Sequence, residues 1–221
     1  MALTDLQALV DDLVRDDGDR ISPEERGRAI TQAVVRYSAD RPRNTVEDVT
    51  APGGSMLPLP SGWEPEVSDL KSIEAPVGLV PPAFLPDQGF WLYSAPDGVK
   101  IMMATAQPQG RQVRISYSIS HVLSDLEDTI PAGDREAVSA YAASLLLEQL
   151  ANLHTNDGDT TIKADSVDRR SKGEQYAARA RAQKKRYQEL LGLGEKPAQT
   201  SAGTQVAWGP VRPWLMPRRR L

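Results

Sequence analysis

Within residues 43–130 a proline or glycine interrupts the chain again and again, at 52, 53, 54, 58, 60, 62, 65, 76, 78, 81, 82, 86, 89, 96 and 98. Proline fixes φ and lacks an N–H, and glycine is costly to order, so no long helix can run through this stretch. Short runs rich in β-branched and aromatic residues sit between the breaks: Val67–Ile73, Phe90–Ser94, Val99–Ala104 and Val113–Ile119. In the last of these, Val113, Ile115, Tyr117 and Ile119 alternate with polar residues, which predicts a strand buried on one face. Asp97-Gly98 between two runs is a hairpin signal of the type I′ kind.

Helical patterning lies on both sides of this region. Leu3, Leu6, Leu9, Val10, Leu13 and Val14 form the stripe of a short amphipathic helix, ended by Asp16-Asp17-Gly18-Asp19. That acidic turn lacks the spacing and the bidentate glutamate of a calcium loop, so no metal is expected there. Ser22, Pro23 and Glu25 spell a capping box with proline at the first helical position. The helix they open should bury Ala29, Ile30, Ala33, Val34 and Tyr37 and stop at Pro42.

After Pro131, with Asp134 as cap, a helix to about His154 has almost no polar side. Such a helix is either central in its own fold or sandwiched between subunits, and the second option implies self-association. A last helix is expected from Asp165 or Ser166 to about Leu191, with a thin apolar stripe of Tyr176, Ala180, Tyr187 and Leu191, ended by Gly192-Leu193-Gly194. The expected fold is α+β, mainly α. A helical bundle of residues 1–45 and 131–193 carries a small antiparallel sheet inserted at 46–130 and an extended C-terminal arm at 194–221.

That arm has no helical or strand period, yet it holds Trp208 and Trp214, two of the four tryptophans. Pro210, Pro213 and Pro217 favour an extended path, and Arg218, Arg219 and Arg220 close it. Large apolar anchors on an extended segment suit binding to another surface, so Trp208, Pro213, Trp214, Leu215, Met216 and the three arginines are the candidate partner-binding residues.

Charge is polarised along the chain although the net value is only −4. Residues 1–19 hold six aspartates against Arg15, and residues 168–189 hold eight Lys/Arg against three acids. This pattern suggests subunits meeting acidic surface to basic, with Lys184, Lys185 and Arg186 opposite Asp11, Asp12 and Asp16. A solvated charged helix at each end explains it equally well.

Chemistry is sparse. There are no cysteines, which removes disulfides, thiolate nucleophiles and Cys-ligated zinc. The two histidines, His121 and His154, stand in no nucleophile, phosphate-loop, dinucleotide or HExxH pattern. The expectation is a protein that is no enzyme and takes no cofactor or metal. No apolar run reaches membrane-spanning length and no leader is visible, so function inside a cell, or in a particle assembled there, is expected. The basic residues of the last helix could neutralise phosphates without reading sequence.

Three stretches together resemble the head–tail connector (adaptor) proteins of tailed bacteriophages. They are Ala29-Ile30-Thr31-Gln32-Ala33-Val34-Val35-Arg36-Tyr37-Ser38 with Arg41-Pro42, Ile130-Pro131 with Glu136-Ala137-Val138-Ser139-Ala140-Tyr141-Ala142-Ala143, and Tyr176 with Arg179-Ala180 through Tyr187 and Leu191-Gly192. The likeness covers the helical parts, and the β-rich insertion exceeds that of the simplest adaptors. It implies a virion structural protein, a homo-oligomeric ring of twelve subunits beneath the portal protein. DNA would pass through that ring, with stopper or tail-tube proteins on its far side and no membrane involved. It also implies assembly in the host cytoplasm and a C-terminal segment that reaches the portal, here residues 194–221. Two alternatives stand beside it: another neck component, such as a stopper or tail terminator, and a soluble accessory protein that binds DNA nonspecifically.

Overall fold

Two separate hydrophobic cores organise the chain, one made by helices and one by strands. The computed structural model describes residues 2–16, 18–154 and 171–193. Among these, 43% are helical and 25% lie in strands, arranged as four α-helices and two three-stranded antiparallel sheets.

Helix α1 (Ala2–Val14) buries Leu6, Val10 and Val14, while Leu9 of the expected stripe stays exposed. Helix α2 (Pro23–Asp40) starts as its sequence requires. The Glu25 N–H donates to Ser22 Oγ (3.2 Å), and the Ser22 N–H donates to Glu25 Oε2 (2.8 Å). The helix buries Ala29, Ile30, Ala33, Val34 and Tyr37. Arg41, the residue before Pro42, has left helical geometry at φ −139° and ψ 78°.

Helix α3 (Arg135–Leu153) runs through the middle of the helical core, with α1, α2 and α4 packed on it. Most of its apolar perimeter is therefore covered within one subunit, with Leu153 exposed at its end, and the helix does not require self-association to be buried. Helix α4 (Lys172–Leu191) begins later than the sequence suggests. Ser171, in extended conformation, accepts from the Glu174 N–H (3.2 Å) and forms a second capping box, so Ser171 and not Asp165 or Ser166 is the start signal. Gly192 ends the helix at φ +67°, a left-handed turn that lets the Leu193 N–H reach the Gln188 carbonyl (2.8 Å).

The β half corrects the expectation of a mainly helical bundle with one small inserted sheet. Strands β1 (Arg43–Thr50), β6 (Gln112–Ile119) and β3 (Leu70–Glu74) form one sheet in the order β1-β6-β3. Strands β2 (Gly54–Leu57), β5 (Gly98–Gln107) and β4 (Phe90–Ala95) form the other, in the order β2-β5-β4. Chain 43–57 runs antiparallel to chain 98–119, and both pass from one sheet to the other at a shared corner. There the Ala51 N–H donates to the Arg111 carbonyl (2.8 Å) and the Gly110 N–H to the Ala51 carbonyl (2.9 Å). Gly53 at φ +100° makes the bend possible.

Val49, Ile73, Val113, Ile115 and Tyr117 from the first sheet meet Leu57, Phe90, Ile101 and Met103 from the second in a core of their own. The sequence reading missed β1 and β2 altogether. In β1 only Val49 is buried, and β2 is four residues long, so neither shows a clear apolar alternation. The β4–β5 hairpin exists, but Ala95 pairs with Gly98, so its turn residues are Pro96-Asp97. Proline holds φ negative at the first turn position, which rules out type I′.

Candidate functional site

The charged residues singled out from the sequence lie on α1 and α4, and most are engaged within the subunit. The Arg179 guanidinium donates to the Leu13 (3.0 Å) and Val14 (2.9 Å) carbonyls, so a basic side chain of α4 caps the C-terminal end of acidic α1. Arg186 pairs with Glu136 at the start of α3, and Lys185 with Glu189 one turn along (3.4 Å). Asp11 pairs with Arg26 (2.8 Å), and Asp16 Oδ2 accepts from the Ile21 N–H (2.8 Å), closing the turn between α1 and α2. Among the described residues Lys184 and Asp12 have no ion-pair partner. The structure thus brings α1 and α4 together, but through Arg179 rather than through the residues expected to pair between subunits. Trp208, Pro213, Trp214, Leu215, Met216, Arg218, Arg219 and Arg220 lie outside the described residues.

A polar cluster at the converging helix ends is one that sequence reasoning did not assemble. Asp134 was expected only to cap α3. Its carboxylate instead accepts from the Tyr37 hydroxyl (2.6 Å) and from Arg41 Nη1 (3.1 Å). Arg41 Nη2 donates to the Leu191 carbonyl (3.0 Å), so one guanidinium ties the ends of α2 and α4 to the start of α3. A second phenol–carboxylate pair stands beside it. The Tyr187 hydroxyl donates to Asp40 Oδ2 (2.5 Å), which also accepts from Arg36 Nε (2.8 Å).

Burial, and then the hydrogen bond to its carboxylate, raises both tyrosines well above their ordinary pKa, so both remain donors. Asp40 in turn raises Arg36. Arg36, Asp40, Tyr141, Lys184, Tyr187 and Leu193 line an open groove of about 370 Å³. The only sequence signal for this cluster was Arg41-Pro42 at a helix end. Through Arg41 the cluster holds the end of α4 at Leu191.

His121 joins the two halves of the molecule. Its N–H donates to Ser38 Oγ of α2 (2.9 Å), its Nε2 lies 3.0 Å from the Arg41 carbonyl, and its Nδ1 lies 2.9 Å from the Thr129 carbonyl. The ring packs on Tyr37 with centroids 4.9 Å apart. Ser38 Oγ donates to the Val34 carbonyl within its own helix. These contacts make His121 a structural tie between α2 and the segment after β6. His154 stacks on Tyr176 at 5.4 Å, where α3 ends and α4 begins.

Glu47 is a similar tie inside the β half. It accepts from the Ser61 N–H (2.9 Å), Ser61 Oγ (3.1 Å) and the Tyr117 hydroxyl (3.1 Å), and the Ser61 amide is the main reason its pKa is lowered. Among the described residues no group of three or more His, Asp or Glu is placed to hold a metal, and no helix is long and apolar enough to cross a membrane. No known family model matches the chain, and no curated protein is significantly similar to it.

Proposed function

We propose that this chain is a structural subunit of the head–tail junction of a tailed bacteriophage, an adaptor whose copies form a ring between portal and tail. The observation that carries the reading is the arrangement of the three stretches that resemble adaptors. They fall on α2, α3 and α4, which pack as one unit and are tied by Arg41, Asp134 and the Leu191 carbonyl. In this reading the unit is the rigid base of the subunit. The C-terminal segment leaves it beside Leu193 and carries Trp208, Trp214, Leu215 and Met216 to apolar pockets on the portal, with Arg218–Arg220 against portal carboxylates. Lys184 and Asp12, without ion-pair partners among the described residues, are the first candidates for contacts between neighbours in the ring.

Mass photometry of the full chain, alone and mixed with a phage portal protein, tests the reading. Twelve 24.2-kDa chains give a ring of about 290 kDa, either alone or seated on the portal. Deleting residues 205–221 should leave the helical circular-dichroism signal intact and abolish portal binding. A truncated chain that still docks, or a chain found elsewhere in the particle, sinks the proposal. The exposed cations of α4 favour one second reading, nonspecific contact with duplex DNA. It requires that binding to random duplex weaken steeply with salt and that Lys184→Glu reduce the slope by about one.

A further inference from the structure

We propose that β4 is an open pairing edge, completed in the unassembled protein by β4 of a second copy across a twofold axis. The other three edges are each protected against strand addition. β1 carries Arg43, Glu47 and Asp48. β2 has only four residues. The C-terminal end of β3 is covered by the returning chain, where the Ala75 N–H donates to the Ala83 carbonyl (3.0 Å) and the Leu85 N–H to the Ile73 carbonyl (2.8 Å), and its open start carries Lys71, paired with Asp69. Charge, shortness and cover are the usual ways in which sheets avoid edge-to-edge association.

β4 uses none of them. Its six residues, Phe90-Trp91-Leu92-Tyr93-Ser94-Ala95, include no charge and no proline. Among the described residues its backbone bonds run to β5 alone. Trp91, Leu92 and Tyr93 are 46%, 43% and 40% exposed, so both faces of the strand meet water, and an open groove separates Phe90, Trp91 and Leu92 from Asp69, Leu70 and Lys71 at the start of β3.

The unmet groups are main-chain donors and acceptors beside aromatic side chains, and the ligand that satisfies both is another uncharged β-strand. β4 fits itself. A twofold axis normal to the sheet keeps each face on its own side only when paired residue numbers sum to an even value, because side chains alternate. Centring the axis on Leu92 sets Leu92 opposite Leu92 of the second copy, and Trp91 opposite its Tyr93. Two aromatic cross-strand pairs then continue the apolar row Trp91–Met102–Met56 already present on that face.

The tryptophan-bearing part of the C-terminal segment is a poor substitute. Pro210, Pro213 and Pro217 leave gaps in any ladder it could offer. The pairing does not rest on the ring reading, since a ring closes through heterologous contacts and this contact is isologous.

Sedimentation of the full chain across the micromolar range tests it. A monomer–dimer equilibrium is expected, with the dissociation constant raised at least about tenfold by Trp91→Lys with Tyr93→Lys and the melting temperature unchanged. The chain has no cysteine, so single substitutions read the register. Leu92→Cys should cross-link two chains on mild oxidation, because directly opposed Cβ atoms lie within disulfide range. Ser94→Cys should not, being paired with Phe90 of the second copy. A monomer at every concentration overturns the proposal. So does any oligomer, ring or dimer, that is indifferent to Trp91→Lys with Tyr93→Lys, or cross-linking at 94 as fast as at 92.

Discussion

The two sheets have the same number of strands, share one core and differ on the faces turned away from it. Across the first sheet runs a charged row, Asp48–Arg114–Glu74, in which Arg114 donates to Asp48 (2.8 and 3.0 Å) and to Glu74 (3.4 Å). Across the second, at the equivalent level, runs Met56–Met102–Trp91. Inward residues decide whether a sheet forms, and outward residues decide what it can meet afterwards. A charged row whose members satisfy one another is complete in water. An apolar row ending at a bare edge is not.

If the inward faces are equivalent, damage to either should cost the same. Ile101→Ala and Ile115→Ala, one from each sheet and both fully buried, should each lower unfolding free energy by about 2–4 kcal/mol in urea titrations. A much smaller loss at Ile101 would show that the second sheet is not part of the shared core.

Next in size is the charged row itself. Arg114→Ala leaves the buried Glu74 carboxylate with the Gly78 N–H (3.1 Å) as its remaining partner among the described residues, and should cost about 2 kcal/mol, because an uncompensated buried charge is the expensive outcome. Glu74→Gln in the same background should recover part of that loss. Chemical denaturation of the single and double variants decides it, and additive effects would mean that Arg114 and Glu74 are not coupled.

Acid is a milder probe of the same sheet. The Ser61 amide lowers Glu47, and the Arg114 guanidinium lowers Asp48. Depressed carboxylates stabilise the fold above the unfolded range, near 4, and lose that contribution as pH falls through their folded values. Glu47→Gln should therefore flatten the acid limb of stability against pH and cost less than about 1 kcal/mol at neutral pH. An unchanged acid limb would remove Glu47 as a contributor.

The helical half was more legible than the β half, and the reason is physical. Ser22-Pro23-Glu25 and the five buried positions of α2 are local signals, each readable within one or two turns. β1 is defined by its pairing with β6, from Arg43 with Ile119 to Thr50 with Gln112, far away in sequence, and Arg43-Asn44-Thr45-Val46 shows no alternation that would reveal it. The same holds for the polar ties. Arg41 reaches Asp134 and Leu191 only because three helix ends converge, and Glu47 reaches Ser61 and Tyr117 only once β1 lies against β6. The basic run of α4 was plain in the sequence, but its partners Glu136, Leu13 and Val14 belong to other helices and could not be read there.

The smallest expected effect separates the edge of the second sheet from its face. Met56 lies at the far end of the apolar row, two strands from β4, and is 39% exposed. If the apolar face as a whole drives association, Met56→Lys should weaken it as much as Trp91→Lys does. If the unpaired backbone of β4 and the aromatic pairs beside it drive association, Met56→Lys should leave the dissociation constant unchanged and shift stability by no more than about 0.5 kcal/mol, as for most exposed substitutions. Sedimentation and thermal melting of the two variants side by side give the answer. A dimer lost in both would assign the contact to the face, and the charged row of the first sheet would then be the feature that keeps the opposite side of the molecule from associating in the same way.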